Sequence, residues 1–360
     1  MPLRCLDTDG RNIQAFDLPD EEWAVLRLDN KKNRHLRMPC CASQVVMKVS
    51  PRGTKFFAHS ARGDCATAPE TEEHRILKSM AVEAARRAGW ACATEVAGLT
   101  PTGEAWTADV LAEKGKHRIA FEIQWSSQTA EETLYRQERY RESGVRCLWL
   151  FRRAGFPISD ALPAVCVGGD LSDGFDIRIP MYSSVPPRDF NNPARWAQVL
   201  PVEEFFDALF AKRFRYGTPV GTKAEVVVHS GVLECWKRQC QALTRIVTFI
   251  EIAAGPHSCS FTVQSLAAYP DLLSHVLRQI PPTNRLGAIK RRYSNTLNES
   301  YMSNGCYRCD ALVGAHFEHD AWYSDNAVLT RFPVTISDRW QQVVESEHGR
   351  FGWGVHESGR

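Results

Sequence analysis

The sequence lacks the features that would place the protein in a membrane or in the secretory pathway. None of its 360 residues lies in an apolar run approaching the roughly 18 residues that a membrane-spanning helix needs. Its first residues, MPLRCLDTDGRNIQAF, contain no apolar core of the kind that a signal peptide requires. Internal repeats and low-complexity runs are absent as well. We therefore expect a cytoplasmic protein with no membrane partner.

Excess charge of either sign is also nearly absent, because 44 Lys and Arg residues face 42 Asp and Glu residues and leave a formal net charge of +2. A chain with so little net charge has no general attraction for nucleic acid, so any such contact must come from local patches. Candidate patches are Lys212-Arg213 with Arg215, and Lys290-Arg291-Arg292. Each patch alone is better explained as a solvated surface.

What is present is a group of carboxylates between Glu70 and Phe151, in a stretch that reads helix, three strands, helix, strand. The strand AWTADVLAE presents Asp109, and the next strand, HRIAFEIQWS, presents Glu122 and Gln124 on one face because alternate residues share a face. Two carboxylates on adjacent strands can point at one spot, and such a buried pair is costly unless a cation lies between them. The pattern predicts a divalent metal site.

The helix before these strands adds three polar side chains. Glu70, His74 and Lys78 recur at intervals of four, so they are expected to share one helical face. A solvated stripe with modest ion pairing explains the helix alone equally well. The acids on the strands favour a functional face.

The segment HRIAFEIQWSSQTAEETLYRQERYRESGVRCLWLF resembles the nuclease-like domain of the competence protein CoiA family. APETEEHRILK and TADVLAE resemble that family's E-(S/T)-x-x-H-x-x-x-K helix and D-V strand, and the resemblance covers roughly residues 38–153. The family belongs to the PD-(D/E)xK nuclease superfamily. The resemblance therefore implies an α/β fold with a restriction-endonuclease-like core, αβββαβ, accompanied by small β-rich zinc-binding modules.

Carried onto this chain, the resemblance makes Asp109 and Glu122 ligands of Mg²⁺ or Mn²⁺, hard cations that prefer oxygen. Gln124 stands where the superfamily usually has Lys and orients a water or contacts a phosphate. Glu70 completes the metal shell, and His74 and Lys78 contact phosphate or transfer protons.

The implied function is metal-dependent hydrolysis of DNA phosphodiesters in uptake, recombination or defence, with DNA and other DNA-processing proteins as partners. The main alternative is a catalytically inactive DNA-binding or adaptor protein that retains the nuclease fold. A further alternative is a zinc-organised partner-binding protein whose acids serve only structure.

Twelve cysteines are many for a cytoplasmic protein, where disulfides are rarely kept. Cys235 and Cys240 in CWKRQC, with Cys306 and Cys309 in CYRCD, form two close pairs separated by a long insertion. This arrangement is typical of a four-thiolate structural Zn²⁺ site, a zinc ribbon. The competing interpretation is buried free thiols, since cysteine is often simply a small core residue.

A second group, Cys40, Cys41, His59 and Cys65, precedes the nuclease-like stretch. CoiA-like proteins often open with a C-P-x-C knuckle, and here Met38 takes the place of its first cysteine. Two interpretations stay open. The four residues bind zinc, or His59 is instead a core or phosphate-contacting residue. The remaining cysteines have no sequence partners and are expected to be core thiols: Cys5, Cys92, Cys147, Cys166 and Cys259.

The predicted organisation has five parts. They are an N-terminal β-rich module over 1–69 with the second Cys/His group, the nuclease-like domain over 70–153, a linker with an amphipathic helix over 154–221, a zinc-ribbon-like module over 222–325, and a tail over 326–360.

Overall fold

The computed structural model describes residues 2–61, 70–153, 156–180, 196–324, 326–346, 349–350 and 352–357. The chain divides into two compact units, 1–214 and 215–360. Within the described residues, no helix is both long and apolar enough to cross a membrane.

The first unit contains strands β1–β11 and helices α1–α4. Their bounds are β1 Arg4–Leu6, β2 Asn12–Gln14, α1 Asp20–Asn33, β3 Val45–Val49, β4 Lys55–His59, α2 Glu72–Arg87, β5 Ala91–Leu99, β6 Ala105–Lys114, β7 His117–Gln124, α3 Ala130–Glu142, β8 Arg146–Phe151, β9 Ala164–Asp170, β10 Gly174–Pro180, β11 Trp196–Pro201 and α4 Val202–Phe210, with a 3₁₀ turn at Ala15–Asp17.

The N-terminal module packs two hairpins, β1–β2 and β3–β4, around α1. Trp23 of α1 contacts Phe57 of β4 with ring centroids 5.4 Å apart, and Met38 is fully buried beside them. The module is less purely β than predicted, because α1 was not expected. Its sequence, DEEWAVLRLDNKKN, buries only Trp23 and Asn30, so it has no broad apolar stripe for a periodicity test to detect.

A seven-stranded mixed sheet forms the centre of the first unit, in the order β11-β10-β9-β8-β7-β6-β5. Strand β7 pairs in parallel with β8, and β8 with β9, while the other neighbours are antiparallel. Residues 72–151 run along the chain as helix, three strands, helix and strand. The unit is thus a mixed α/β structure with a core that is mainly sheet.

Helix α2 begins at Glu72 because Thr71 caps it, its hydroxyl accepting a hydrogen bond from the amide of His74. Acids in its first turn and arginines in its last turn match the helix dipole. Glu70 therefore lies just before the helix rather than on its face. Lys78 is buried with the apolar side of the helix, so the interpretation of a solvated stripe is wrong for that residue.

The predicted linker and tail need correction. Strands β9, β10 and β11 lie within residues 154–221 and extend the central sheet. Strand β9 pairs with β8, and β10 and β11 follow it in order. The amphipathic helix ends at Phe210, and the following Lys212 adopts a left-handed conformation with φ 61°. The most linker-like stretch, SSVPPRDFNNP, lies outside the described residues.

The second unit contains the remaining elements. Their bounds are β12 Phe214–Tyr216, β13 Lys223–Glu234, β14 Leu243–Ala254, β15 His257–Phe261, α5 Val263–Leu266, α6 Pro270–Arg278, β16 Ile289–Ser294, β17 Glu299–Asn304, α7 Ala315–Ser324, β18 Ala327–Thr335, α8 Asp338–Val344, β19 Gly349–Arg350 and β20 Trp353–Val355.

A five-stranded antiparallel sheet, β18-β13-β14-β15-β19, organises this unit. Strand β18 pairs along β13, so the predicted boundary at 325 divides a continuous sheet. The apolar face of β13 and β14 packs on α5, α6 and α8. Cys235 follows the end of β13, and Cys306 follows the end of the β16–β17 hairpin. These strand ends position the two thiol-bearing loops.

Candidate functional site

Lys78 is the centre of a buried charged cluster in the first unit. Its side chain is 0% exposed, and Nζ lies 2.7 Å from Glu70 Oε1, 2.8 Å from Glu95 Oε1 and 3.2 Å from Asp109 Oδ1. Burial opposes the charge of this amine, but the carboxylates of Asp109, Glu95 and Glu70 hold the pKa of Lys78 well above its ordinary value. Lys78 is therefore an ammonium ion within a ring of acids.

Asp109 joins the strands to helix α2. Its Oδ2 accepts a hydrogen bond of 2.9 Å from the amide of Ile123, and its Oδ1 lies 3.3 Å from His74 Nε2. Burial raises the pKa of Asp109, but the charges of Lys78 and His74 and the Ile123 hydrogen bond outweigh it and hold that pKa well below its usual range. Asp109 is thus a fixed carboxylate.

Glu95 enters the cluster through a break in strand β5. Thr94 pairs with Val110 and Val96 pairs with Ala108, which leaves Glu95 unpaired opposite Asp109. Its φ is +51°, in the left-handed region that non-glycine residues seldom adopt. This backbone conformation turns the side chain towards Lys78, whose Nζ donates a hydrogen bond to Glu95 Oε1. The sequence analysis missed Glu95, and the acid within the strand pattern ATEVAG was the only signal for it.

Glu122 is held by helix α3 instead of α2. Arg136 and the hydroxyl of Tyr140 both donate hydrogen bonds to its carboxylate, and the residue is 2% exposed. Burial and the Asp109 carboxylate raise the pKa of Glu122 to about 7, while Arg136 acts in the opposite direction. Asp109 of β6 and Glu122 of β7 lie opposite each other, next to the Val110–Phe121 pair. Their carboxylates nevertheless contact different helices, since Asp109 faces Lys78 of α2 and Glu122 faces Arg136 of α3.

Gln124 lies at the end of β7, beside a cleft lined by Ser126, Ser127 and Arg153. Its Nε2 donates to the carbonyl and the hydroxyl of Ser126 at 3.0 Å each. Its Oε1 accepts from Arg136 Nη1 at 3.3 Å. Arg136 therefore connects Glu122 to Gln124. Its place one turn before Tyr140 was visible in the sequence, but its role was not.

The donor set around Lys78 fits a divalent cation. Glu70, His74 and Asp109 offer ligand atoms that all lie within 4.8 Å of one another. Three carboxylates surround one ammonium, which leaves a formal charge of −2 when His74 is neutral. Within the described residues, the buried atom Glu95 Oε2 makes no hydrogen bond. Oxygen-rich sites with uncompensated negative charge suit Mg²⁺ and Mn²⁺.

The second unit gathers all four predicted thiols at one point. The sulfurs of Cys235 and Cys309 lie 3.6 Å apart, and those of Cys240 and Cys306 lie 3.7 Å apart. Sulfurs bonded to one tetrahedral zinc at 2.3 Å lie about 3.8 Å apart, whereas disulfide sulfurs lie about 2.05 Å apart. The spacing fits a metal site such as zinc and excludes disulfides.

The surroundings of Cys306 favour the thiolate that a metal requires. Its sulfur accepts a hydrogen bond of 3.3 Å from Thr244 Oγ1. Burial raises the pKa of Cys306, but the Thr244 hydroxyl and the amides of Cys309 and Arg308 lower it to about 6.

The N-terminal group is only partly described. His59 Nε2 lies 3.5 Å from Cys40 Sγ and 3.2 Å from Cys41 Sγ, and the two sulfurs are 3.8 Å apart. These three atoms could bind one metal although the cysteines are adjacent in sequence. Cys65, the predicted fourth ligand, lies outside the described residues. Of the expected core thiols, Cys92 is half-buried and four are buried: Cys5, Cys147, Cys166 and Cys259.

Residues 70–157 match the model of a protein family. The matching family is described as "Competence protein CoiA, nuclease-like domain", which confirms the resemblance read from the sequence. Over residues 70–157 the chain is thus similar to the nuclease-like domain of the CoiA family.

No curated protein matches the chain. A solved structure titled "Crystal Structure of Protein of Unknown Function AF1548" is similar over 28% of this chain and 62% of its own, with 14% identity and a TM-score of 0.21. That similarity is too weak to inform either the fold or the function.

Proposed function

We propose that the nuclease-like domain hydrolyses phosphodiester bonds in DNA with a divalent cation held by Glu70, His74 and Asp109. The observation that supports this most is the convergence of these three residues, from the segment before α2, from α2 and from β6, within 4.8 Å. Glu122, the other metal ligand predicted from the sequence, is not part of this group, because its carboxylate is held by Arg136 and Tyr140. When bound, Mg²⁺ or Mn²⁺ would activate a water and stabilise charge on the phosphate.

Lys78 supplies the positive charge that Gln124 does not bring. Its ammonium is fixed by Glu70, Glu95 and Asp109, so its position does not depend on side-chain ordering when substrate arrives. Because the amine is fully buried among these carboxylates, it acts through its positive field, which would stabilise the negative charge that develops during hydrolysis, rather than by contact with the phosphate. Burial of the amine strengthens that effect because the local dielectric is low.

Gln124 and Arg136 form the side of the site that faces the cleft. Arg136 donates to Glu122 and to Gln124, so it fixes both side chains relative to each other. Arg153 lines the same cleft and donates to Ser127 at 2.7 Å. These groups are placed to orient a water or a substrate phosphate.

Cleavage of single- and double-stranded DNA, with and without Mg²⁺ or Mn²⁺, tests the proposal. We expect cleavage only with a divalent cation, and a loss of about 10³-fold in Asp109→Ala because the metal-activated water is lost. Glu113→Ala is the matched control, since Glu113 is an exposed acid on the same strand and should leave cleavage unchanged. Cation-independent cleavage, or full activity in Asp109→Ala, would exclude this site.

A second candidate, an inactive DNA-binding or adaptor protein, is favoured by the absence of a lysine at position 124 and by Lys78, whose ammonium offsets one of the three negative charges around it. It predicts DNA binding in a gel-shift assay without cleavage under any metal condition. Roles in uptake, recombination or defence, and a cytoplasmic location, follow from the same proposal.

We also propose that Cys235, Cys240, Cys306 and Cys309 bind one structural Zn²⁺, and that Cys40, Cys41, His59 and Cys65 bind a second. The near-tetrahedral sulfur spacings support the first site. Elemental analysis distinguishes the two: one equivalent of zinc should be lost in Cys306→Ser and the other in Cys65→Ser. Zinc content that neither variant changes would favour buried free thiols.

A further inference from the structure

The two thiol-bearing loops of the second unit repeat one local pattern. In each, the first cysteine is followed by an aromatic residue and then a base, as Cys235-Trp236-Lys237 and Cys306-Tyr307-Arg308. Trp236 is 60% exposed and Tyr307 is 37% exposed. Two exposed rings on loops that contact each other, each followed by a base, give a surface on which a planar partner can stack. We call Trp236, Lys237, Arg238, Tyr307 and Arg308 the knuckle surface.

The rings of the knuckle surface are held in place despite their exposure. Trp236 Nε1 donates a hydrogen bond of 2.9 Å to the carbonyl of Leu312, beyond the second loop. In return, Arg308 of the second loop reaches the carbonyl of Cys240 in the first loop at 3.4 Å. Each loop therefore ties down the other. A ring that is already ordered costs less entropy to use in binding.

Positive charge accompanies each ring. Lys237 Nζ lies 5.8 Å from the centroid of Trp236, and the guanidinium carbon of Arg308 lies 5.9 Å from that of Tyr307. Within the described part of the chain, Lys237, Arg238 and Arg308 form no salt bridge with a carboxylate. Their charge remains available to an anionic partner.

The sequence-predicted patch at Lys290-Arg291-Arg292 is different. Lys290 Nζ lies 2.6 Å from Asp310 Oδ2, and Arg292 lies 2.5 Å from Asp310 Oδ1. Arg292 is also buried and donates to backbone carbonyls. One carboxylate thus engages two of the three bases, and Arg292 serves the structure of the hairpin.

We propose that the knuckle surface binds single-stranded nucleic acid. Unpaired bases expose faces that stack on Trp236 and Tyr307, while Lys237, Arg238 and Arg308 contact phosphates. In a duplex those base faces are hidden in the helical stack, so the rings favour single strands over duplexes. The proposal goes beyond the nuclease-like domain and does not depend on cleavage, because every contributing residue lies in the second unit.

Fluorescence anisotropy with a labelled thymidine oligonucleotide of about 15 nucleotides tests this, using the full-length, zinc-loaded protein. Buffers without added Mg²⁺ or Mn²⁺ keep cleavage out of the measurement. We expect single strands to bind more tightly than duplex, and Trp236→Ala to weaken single-strand binding about tenfold or more. Trp236→Phe should stay within about threefold because a ring is retained.

Charge is tested separately through the salt dependence of binding. Replacing Lys237 by Ala should reduce the magnitude of the slope of log affinity against log salt by about 0.7. The variant makes one phosphate contact fewer, so its binding releases fewer counterions. Lys223→Ala, an exposed lysine of the same unit, is the matched control and should leave the slope unchanged.

Tyr323→Ala is the control for general loss of exposed aromatic surface, since Tyr323 is 75% exposed in the same unit. Zinc content and circular dichroism of each variant show whether the loops are intact. Unchanged affinity in both Trp236→Ala and Tyr307→Ala would overturn the proposal. So would an equal loss in Tyr323→Ala, or the absence of single-strand binding by the intact protein. The Asp109→Ala protein separates this proposal from the proposed nuclease function. Single-strand binding by that protein, in the absence of cleavage, would support binding at the knuckle surface whether or not the domain is a nuclease.

Discussion

The charged cluster around Lys78 and the thiol cluster of the second unit assemble their side chains in opposite ways. Glu70, Glu95 and Asp109 come from a segment before a helix and from two neighbouring strands, and an internal ammonium already balances part of their charge. The thiols come from two short loops and, within the described residues, have no internal cation among them.

The difference concerns what a metal has to do at each place. The thiol cluster brings four sulfurs together at one point, so folding of this region is expected to depend on the metal that would bind them. The carboxylates of the charged cluster are held by Lys78, so a cation there is expected to add reactivity more than structure.

The largest effect is expected in the thiol cluster. Cys306→Ser should lose the bound zinc and with it an apparent binding free energy on the order of 10 kcal/mol that supports folding of the second unit. Cys259→Ala is the matched control, because Cys259 is a buried thiol outside the cluster and should keep zinc at the wild-type level. Elemental analysis and thermal unfolding measure both outcomes. A Cys306→Ser protein with full zinc would contradict the expectation that the thiol cluster, unlike the charged cluster, depends on a metal for folding.

Replacing Lys78 should make the charged cluster depend on a bound metal for stability, as is expected of the thiol cluster. Lys78→Met leaves three carboxylates without their ammonium and should cost about 3–5 kcal/mol of unfolding free energy. Added Mg²⁺ should recover part of this loss, because a divalent cation then offsets the acids.

Urea unfolding with and without Mg²⁺ measures the effect of Lys78→Met. Lys48→Met, at an exposed strand position, should change stability by less than about 0.5 kcal/mol. A Lys78→Met protein as stable as the wild type would show that the ion pairs contribute nothing net.

A smaller loss is expected from Glu95→Gln, which keeps the shape of the side chain and removes one charge facing Lys78. Loss of one charged hydrogen bond should lower the unfolding free energy by about 2 kcal/mol. Cleavage should also fall if Glu95 positions the ammonium. Glu113→Gln, in the neighbouring strand, provides the comparison in both measurements. Equal stability of the two variants would mean that the negative charge of Glu95 has no role in holding Lys78.

The smallest effect is expected at the margin of the charged cluster. Gln124→Ala should slow turnover about tenfold or more while metal affinity stays nearly constant, because Gln124 contacts Ser126 and Arg136 rather than the cation-binding group. Gln124→Lys restores the residue usual in the superfamily and should be tolerated. Turnover curves and metal titrations separate the two quantities. Normal turnover in Gln124→Ala would assign the residue to a structural role.

Local pattern was enough for several elements. The expected helix over 130–142 and the strand Arg146–Phe151 are confirmed, because their periodicity and caps are encoded within a few residues. The thiol cluster was equally visible, since two close pairs of cysteine are a local pattern in the sequence. The predicted linker failed because β9–β11 are short strands whose pairing depends on the sheet edge they join.

The sequence by itself determined the CoiA nuclease-like resemblance, the four thiols and most residues of the charged cluster. Only the tertiary structure decided how those residues are used. It placed Lys78 between Glu70 and Asp109, and it turned Glu122 towards Arg136 and Tyr140. It also brought in Glu95 through a left-handed residue in strand β5. The physical reason is that residue type and spacing are local properties. The partner of a buried charge, in contrast, is set by elements distant in sequence, which meet only when the sheet closes around them.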